Sequence, residues 1–339
     1  RYFNTPNQES LSKKIAALEH AEAAMIFGSG MAAISSTMLT FLKSGDHAVI
    51  QNDIYGGTRS FIESHFKNYG IDYSFTKDLS SEAFEDCIQE NTKLIYIETP
   101  SNPLLKLVDL FAIAKLAKSH SIVTAADNTF ASPIVQNPLD LGVDIVMHSA
   151  TKYFGGHSDI SAGAVASSQE IMDKIWNLSK DFGGNLSDYT VWLLERSMKT
   201  LGIRVKAQQR NAKRLAKFLN KHTAVKSVYY PGLKTNEYHG LAKIQMKGFG
   251  AMMSFELTEE YNAEAFLKAL ELIKPSMSLA GVESTMLLPS KTSHALLSDS
   301  DRFSQGITDQ LIRFSVGIEN KSDLINDIEQ AISASHSKR

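Results

Sequence analysis

From the start of the chain to about residue 202, short apolar runs alternate with helical patterns, and this alternation limits the possible folds more than any other feature. Apolar runs at 48–50, 94–97, 122–125, 145–147 and 163–166 are separated by helical patterns such as 31–42, 57–67 and 110–120. Strands joined by helices of that length predict a mostly parallel sheet covered on both faces. The texture then changes. Residues 188–221 form a nearly continuous, basic helical pattern with a break expected at Gly202. Strand-like segments 227–230 and 250–256 follow, with helical patterns at 263–272 and 321–334. The expectation is an α/β chain: a large domain over 1–202 and a smaller α+β domain over 203–339. Its 339 residues suggest two domains or one large one, enough to bury an ordinary core.

Chemistry concentrates at the ends of the expected strands. The segment Ser149-Ala150-Thr151-Lys152 follows the apolar run ending at Met147. A lysine amine can condense with an aldehyde, and Ser149 and Thr151, at alternate positions of an extended segment, can donate to a phosphate. A helix-starting Ser/Thr pair beside a surface lysine would look the same. One strand earlier the chain delivers Asp127, where an open α/β sheet places ligand groups. A carboxylate there can keep a pyridine nitrogen protonated, although a turn cap is its ordinary use. Upstream, Gly28-Ser29-Gly30-Met31 opens a helical stretch, so the Gly30 and Met31 amides are expected phosphate donors. Lysine, hydroxyls, acid and glycine turn together predict pyridoxal 5'-phosphate. The rival is a nicotinamide-dependent oxidoreductase, because Gly28 to Ala33 also fits G-x-G-x-x-A with Asp53 as a ribose acid. That rival gives Lys152 no role.

A net charge of −2 and a pI near 6.6 give no electrostatic reason to expect nucleic acid or membrane partners. With one cysteine, Cys87, no intrachain disulfide can form, and a cytoplasmic setting is the expectation. The ten histidines show no ligand-like pairing, so no metal is expected.

Further motifs bring these residues together. Tyr55-Gly56-Gly57-Thr58, Glu98-Thr99-Pro100-Ser101-Asn102-Pro103, Asp127-Asn128-Thr129-Phe130, Ser149 to Tyr153, Gly155-Gly156-His157-Ser158-Asp159 and Arg313 to Glu319 jointly resemble the Cys/Met-metabolism pyridoxal-phosphate enzymes. The resemblance implies the aspartate-aminotransferase-like fold and a homotetramer built as a dimer of dimers. It implies Lys152 as the Schiff-base lysine, Asp127 as the pyridine partner and Tyr55 as the ring that stacks on the cofactor and moves protons. Gly30, Met31, Ser149 and Thr151 would bind phosphate, and Asn102 would lie near the ring hydroxyl. Arg313, with Ser278 beside it, would clamp the substrate α-carboxylate. Members of the family carry Tyr-x-Arg before an Asn-Pro pair. Here the arginine is matched by Arg1 and the tyrosine has no counterpart, so an N-terminal arm is expected to be missing.

The expected reaction is β- or γ-elimination on a sulfur amino acid, cystathionine or methionine, with a γ-replacement synthase as the rival within the family. Cystathionine-handling members often have an arginine five residues after the stacking tyrosine, where this chain has Ser60, with Arg59 one residue earlier. They also have a glutamate where this chain has Met277. Both changes favour a smaller or more apolar substrate. Against that, Gly57 stands where methionine lyases commonly have cysteine; Lys180-Asp181, before Gly183-Gly184, only loosely resembles their lysine-aspartate pair, its spacing off by one.

Overall fold

The structure, a computed structural model, describes residues 3–293, 295 and 298–336. Seven strands form the first sheet: β1 (Ala23–Phe27), β2 (His47–Ile50), β3 (Asp72–Phe75), β4 (Thr92–Glu98), β5 (Val123–Asp127), β6 (Ile145–His148) and β7 (Gly163–Ser167). Their spatial order is β1-β7-β6-β5-β4-β2-β3. All five expected apolar runs lie in this sheet. Most of their side chains are buried on both faces, which is why they appear in sequence as unbroken apolar runs rather than alternating ones.

Four of the six ladders are parallel, and the two antiparallel ones both involve β7. A parallel neighbour needs a crossover connection. The segment between β6 and β7 instead turns directly back, and that return carries Lys152.

The same pairing removes the nicotinamide rival. A dinucleotide fold needs its first strand parallel to the next through a helical crossover. β1 is an edge strand antiparallel to β7, and Asp53 is paired with Lys106 at 2.7 Å.

The second sheet contains β8 (Val225–Tyr229), β9 (Met252–Leu257), β10 (Lys274–Pro275), β11 (Thr285–Leu287) and β12 (Leu311–Ser315), in the order β10-β11-β12-β9-β8. One hydrophobic core runs between the two halves, from Leu11 and Phe154 to Phe255 and Ile332.

Helix Lys321–Ala334 matches its expected span, while two others differ for visible reasons. The basic pattern is interrupted at Lys199 and Thr200, and Gly202 lies inside helix Leu201–Leu219. The helix expected over 263–272 ends at Ala269, because the Asp327 carboxylate accepts the N–H groups of Glu271, Leu272 and Ile273 at 2.8 to 3.1 Å. A charged acceptor taking three consecutive amides holds that backbone out of the helix. Among the described residues no helix is long and apolar enough to cross a membrane, and no cluster of three ligand-type side chains could hold a metal.

Candidate active site

A cavity of about 460 Å3 opens where the C-terminal ends of β4, β5 and β6 meet residues 277–279 and β12. Gly30, Met31, Tyr55, Asn102, Asp127, Ser149, Thr151, Lys152, Ser278 and Arg313 all line it. Arg1 lies outside the described residues. The cavity also receives Glu98, Thr129, Ser29 and Ser161, which sequence reasoning did not single out. Glu98 and Thr129 stand inside motifs already quoted, so their position was available; what the sequence did not show was their burial.

The anion end is built by close approach. Ser29 caps helix Gly30–Phe41, its hydroxyl accepting the Ala32 amide at 3.0 Å. The leading amides of the helix have no partner within it, and Gly30 and Met31 line the cavity. A Cβ on Gly30 would lie 2.9 Å from the Ser149 Cβ, so the helix start and the Ser149 segment approach this closely only with glycine there. The Ser149 amide donates to the Thr129 hydroxyl at 2.8 Å.

The expected extended segment 149–151 is instead the entry to a π-type turn, Thr151–Gly155, with Gly155 N–H donating to Ala150 C=O. Within it the Thr151 hydroxyl exchanges hydrogen bonds with the Ala162 backbone, donating at 3.2 Å and accepting at 3.0 Å. To bind phosphate through its proton, Thr151 must release the Ala162 carbonyl.

Two carboxyls end adjacent strands in register, Glu98 opposite Asp127. Burial pushes Glu98 well above the usual carboxylate range, and neighbouring Asp127 adds to it. Burial also raises Asp127, opposed by its hydrogen bonds from Thr129 and by His148. The Thr129 amide donates to Asp127 at 2.9 Å. A cation such as a protonated pyridine nitrogen would relieve this crowded pair.

Glu98 also accepts the Tyr55 amide at 2.7 Å and so fixes the start of helix Gly56–His65. The Tyr55 ring, 47% exposed, folds over Gly57, where a Cβ would meet it at 2.5 Å. A side chain at position 57 would therefore displace the Tyr55 ring.

Lys152 is partly buried, and burial, with Arg313 adding repulsion, holds its amine below the ordinary lysine value. That favours the neutral, nucleophilic form. Arg313 sits within β12, 3% exposed, and burial lowers it to about 10. It donates to Met277 C=O at 3.0 Å and to Asn102 Oδ1 at 3.4 Å, while its Nε has no partner among the described residues. A buried, unsatisfied guanidinium edge is suited to a carboxylate. Ser278 lies alongside, its hydroxyl 3.2 Å from that of Ser158.

These residues suit pyridoxal phosphate: amides for a phosphate, an acid for a ring nitrogen, an aromatic cover and an amine held below the ordinary lysine value. Comparison with known proteins agrees. A model of the Cys/Met metabolism PLP-dependent enzymes matches residues 1–333. The chain is 45% identical over 328 residues to a cystathionine gamma-lyase of Bacillus subtilis (strain 168), covering 96% of this chain and 86% of the relative. It is 43% identical over 334 residues to an L-methionine gamma-lyase of Fusobacterium nucleatum subsp. polymorphum, covering 97% and 85%. The crystal structure of a cystathionine gamma-lyase from Lactobacillus plantarum, complexed with L-serine, superposes with a TM-score of 0.96 at 42% identity, covering 98% of this chain and 88% of the other. The chain belongs to the Cys/Met metabolism PLP-dependent enzyme family.

Proposed function

We propose that this member of the Cys/Met metabolism PLP-dependent family cleaves a carbon–sulfur bond of cystathionine or methionine, with Lys152 as its catalytic amine. The observation that carries the reading is that Lys152, Asp127 and Arg313 line one cavity. Gly30, Met31, Ser149 and Thr151 hold the cofactor phosphate, Asp127 its ring nitrogen, Tyr55 its face and Asn102 its hydroxyl. Pyridoxal phosphate, when bound, supplies an electron sink for a carbanion at the substrate Cα.

The chain's own groups do the rest. Arg313 and Ser278 fix the α-carboxylate, which turns the Cα–H toward Lys152. Lys152 takes that proton as a neutral base. For a sulfur on Cγ a second proton is then lost from Cβ; in either case the Tyr55 phenol passes a proton to the departing sulfur, so that the carbon–sulfur bond breaks with its electron pair on sulfur, which leaves as a thiol. Ammonia and a keto acid complete the products after hydrolysis.

Residues 1–202 form the cofactor domain and 203–339 the smaller one in this reading. A cytoplasmic homotetramer belongs to it as well. In support, Tyr189 and Trp192 stack on each other 70% and 51% exposed on helix Asp188–Met198, an apolar face of the kind subunits cover.

Substrate preference rests on the cavity rim. The Arg59 guanidinium is held elsewhere, bonded to Glu63 and Asn52 and lying 3.9 Å from the Phe75 ring centroid. Met277, 61% exposed, lines the cavity with a free side chain. Neither supplies charge for a distal amino acid group. Met277→Glu is expected to raise use of cystathionine relative to methionine by roughly 10- to 100-fold, the worth of one hydrogen bond to a charged group. An unchanged ratio of kcat/KM values would show that position 277 does not read the distal group.

The reading itself is tested by supplying the cofactor-loaded protein with cystathionine, methionine and O-acyl-homoserines in parallel. Keto acid and thiol from a sulfur amino acid alone support the lyase. Turnover that needs an O-acyl-homoserine together with a thiol nucleophile gives the chain to γ-replacement instead.

A further inference from the structure

Helix Leu201–Leu219 places Arg204, Gln208 and Asn211 at positions i, i+4 and i+7, one face of a helix. None of them lines the cavity. Arg204 donates to the carbonyls of Tyr153 at 2.9 Å, Phe154 at 3.2 Å and Ser197 at 3.0 Å, and its Nε donates to the Thr200 hydroxyl at 3.1 Å. Gln208 donates to Gly281 C=O at 2.6 Å, and Asn211 to Gly317 C=O at 3.1 Å and Glu319 C=O at 2.8 Å.

The three side chains therefore hold three different segments: the turn just after Lys152, the loop just after Ser278 and the chain just after Arg313. Those segments also bond one another, Val282 N–H to Gly156 C=O at 3.0 Å and Ile318 N–H to Val282 C=O at 2.8 Å.

The fit around Arg204 is close. At 4% exposure, all its bonds go to neutral oxygens. A Cβ on Gly156, which has φ of +70°, would overlap its Nη1. Burial lowers Arg204 to about 10, which leaves it charged at neutral pH. A planar fork can hold two successive carbonyls at once, whereas a lysine ammonium is a single point with rotating donors.

We propose that Arg204, Gln208 and Asn211 form a positioning strut that sets the Lys152 turn at a fixed separation from the Ser278 and Arg313 side of the cavity. The strut acts through backbone carbonyls and touches neither substrate nor cofactor. It rests on the assignment of Lys152 and Arg313 made above.

The test compares cofactor-loaded parent, Arg204→Lys and Gln208→Leu, reading the pH titration of bound-cofactor absorbance together with kcat and KM per bound cofactor. Arg204→Lys frees the turn and hydrates Lys152, so the absorbance midpoint is expected to rise by about one pH unit, the equivalent of roughly a tenfold change in proton affinity. Its kcat is expected to fall by about tenfold with little change in KM. Gln208→Leu is expected to raise KM by roughly fivefold, with the absorbance titration unmoved. A parent-like titration and kcat in Arg204→Lys overturn the strut, whatever happens to thermal stability. If that variant does not fold, Gln208→Leu decides: a raised KM with an unmoved titration supports the strut, and a parent KM overturns it. Borohydride labelling of the parent separates the two ideas. Cofactor fixed to a lysine other than Lys152 overturns both, whereas cofactor on Lys152 with unmoved variants overturns the strut alone.

Discussion

Lys152→Ala is expected to lower turnover by at least roughly 10³-fold, because a positioned general base alone is worth about 10² to 10⁴-fold and in the proposed reaction this lysine also anchors the cofactor. The methyl group that replaces it can neither take a Cα proton nor condense with an aldehyde. The amides at Gly30 and Met31 and the Asp127 carboxyl remain, so the variant should still bind pyridoxal phosphate, and borohydride should fix none of it. Because burial and Arg313 hold the Lys152 amine below the ordinary lysine value, its neutral form appears at lower pH than that of an exposed lysine. The rising limb of the parent's pH profile should therefore lie below that of a free lysine. Turnover and labelling measured side by side check this, and an active Lys152→Ala variant would exclude the lysine from the chemistry.

Arg313→Ala is the second large effect. Loss of a charge-assisted contact to a buried partner is worth roughly 2 to 5 kcal/mol, so kcat/KM for α-amino acids should fall by about 30-fold to several thousand-fold, mainly through KM. The burial of Arg313 in the cavity wall is the reason for expecting so much, since a carboxylate bound there would be left buried with no cation to face. A substrate analogue lacking the carboxylate should lose little between parent and variant. Steady-state kinetics with both compounds separate a carboxylate clamp from a general loss of structure; equal losses for the two would remove the clamp.

Much of this was legible in the chain. Apolar runs at strand positions and groups at strand ends are local properties, so the five expected apolar runs fall on strands of the first sheet, helix Lys321–Ala334 has its expected span, and the ten described candidate residues line one cavity. What escaped depends on partners distant in sequence. The antiparallel placement of β1 is set by β7, some 140 residues later. The early end of helix Ala263–Ala269 is set by Asp327, whose side chain reaches back to three amides. The burial of Glu98 follows from its register opposite Asp127, and the engagement of the Thr151 hydroxyl from the return of the chain at Ala162. Arg204 appears in sequence as one of many basic residues on a helix, and only the packing shows that its charge faces inward.

The most direct test of the central claim is borohydride reduction of the protein supplied with pyridoxal phosphate, followed by mass mapping of the modified peptide. The account predicts a yellow protein whose colour is lost on reduction and whose cofactor is found on Lys152. Absence of any adduct with cofactor in excess, or an adduct on a different lysine, would contradict it.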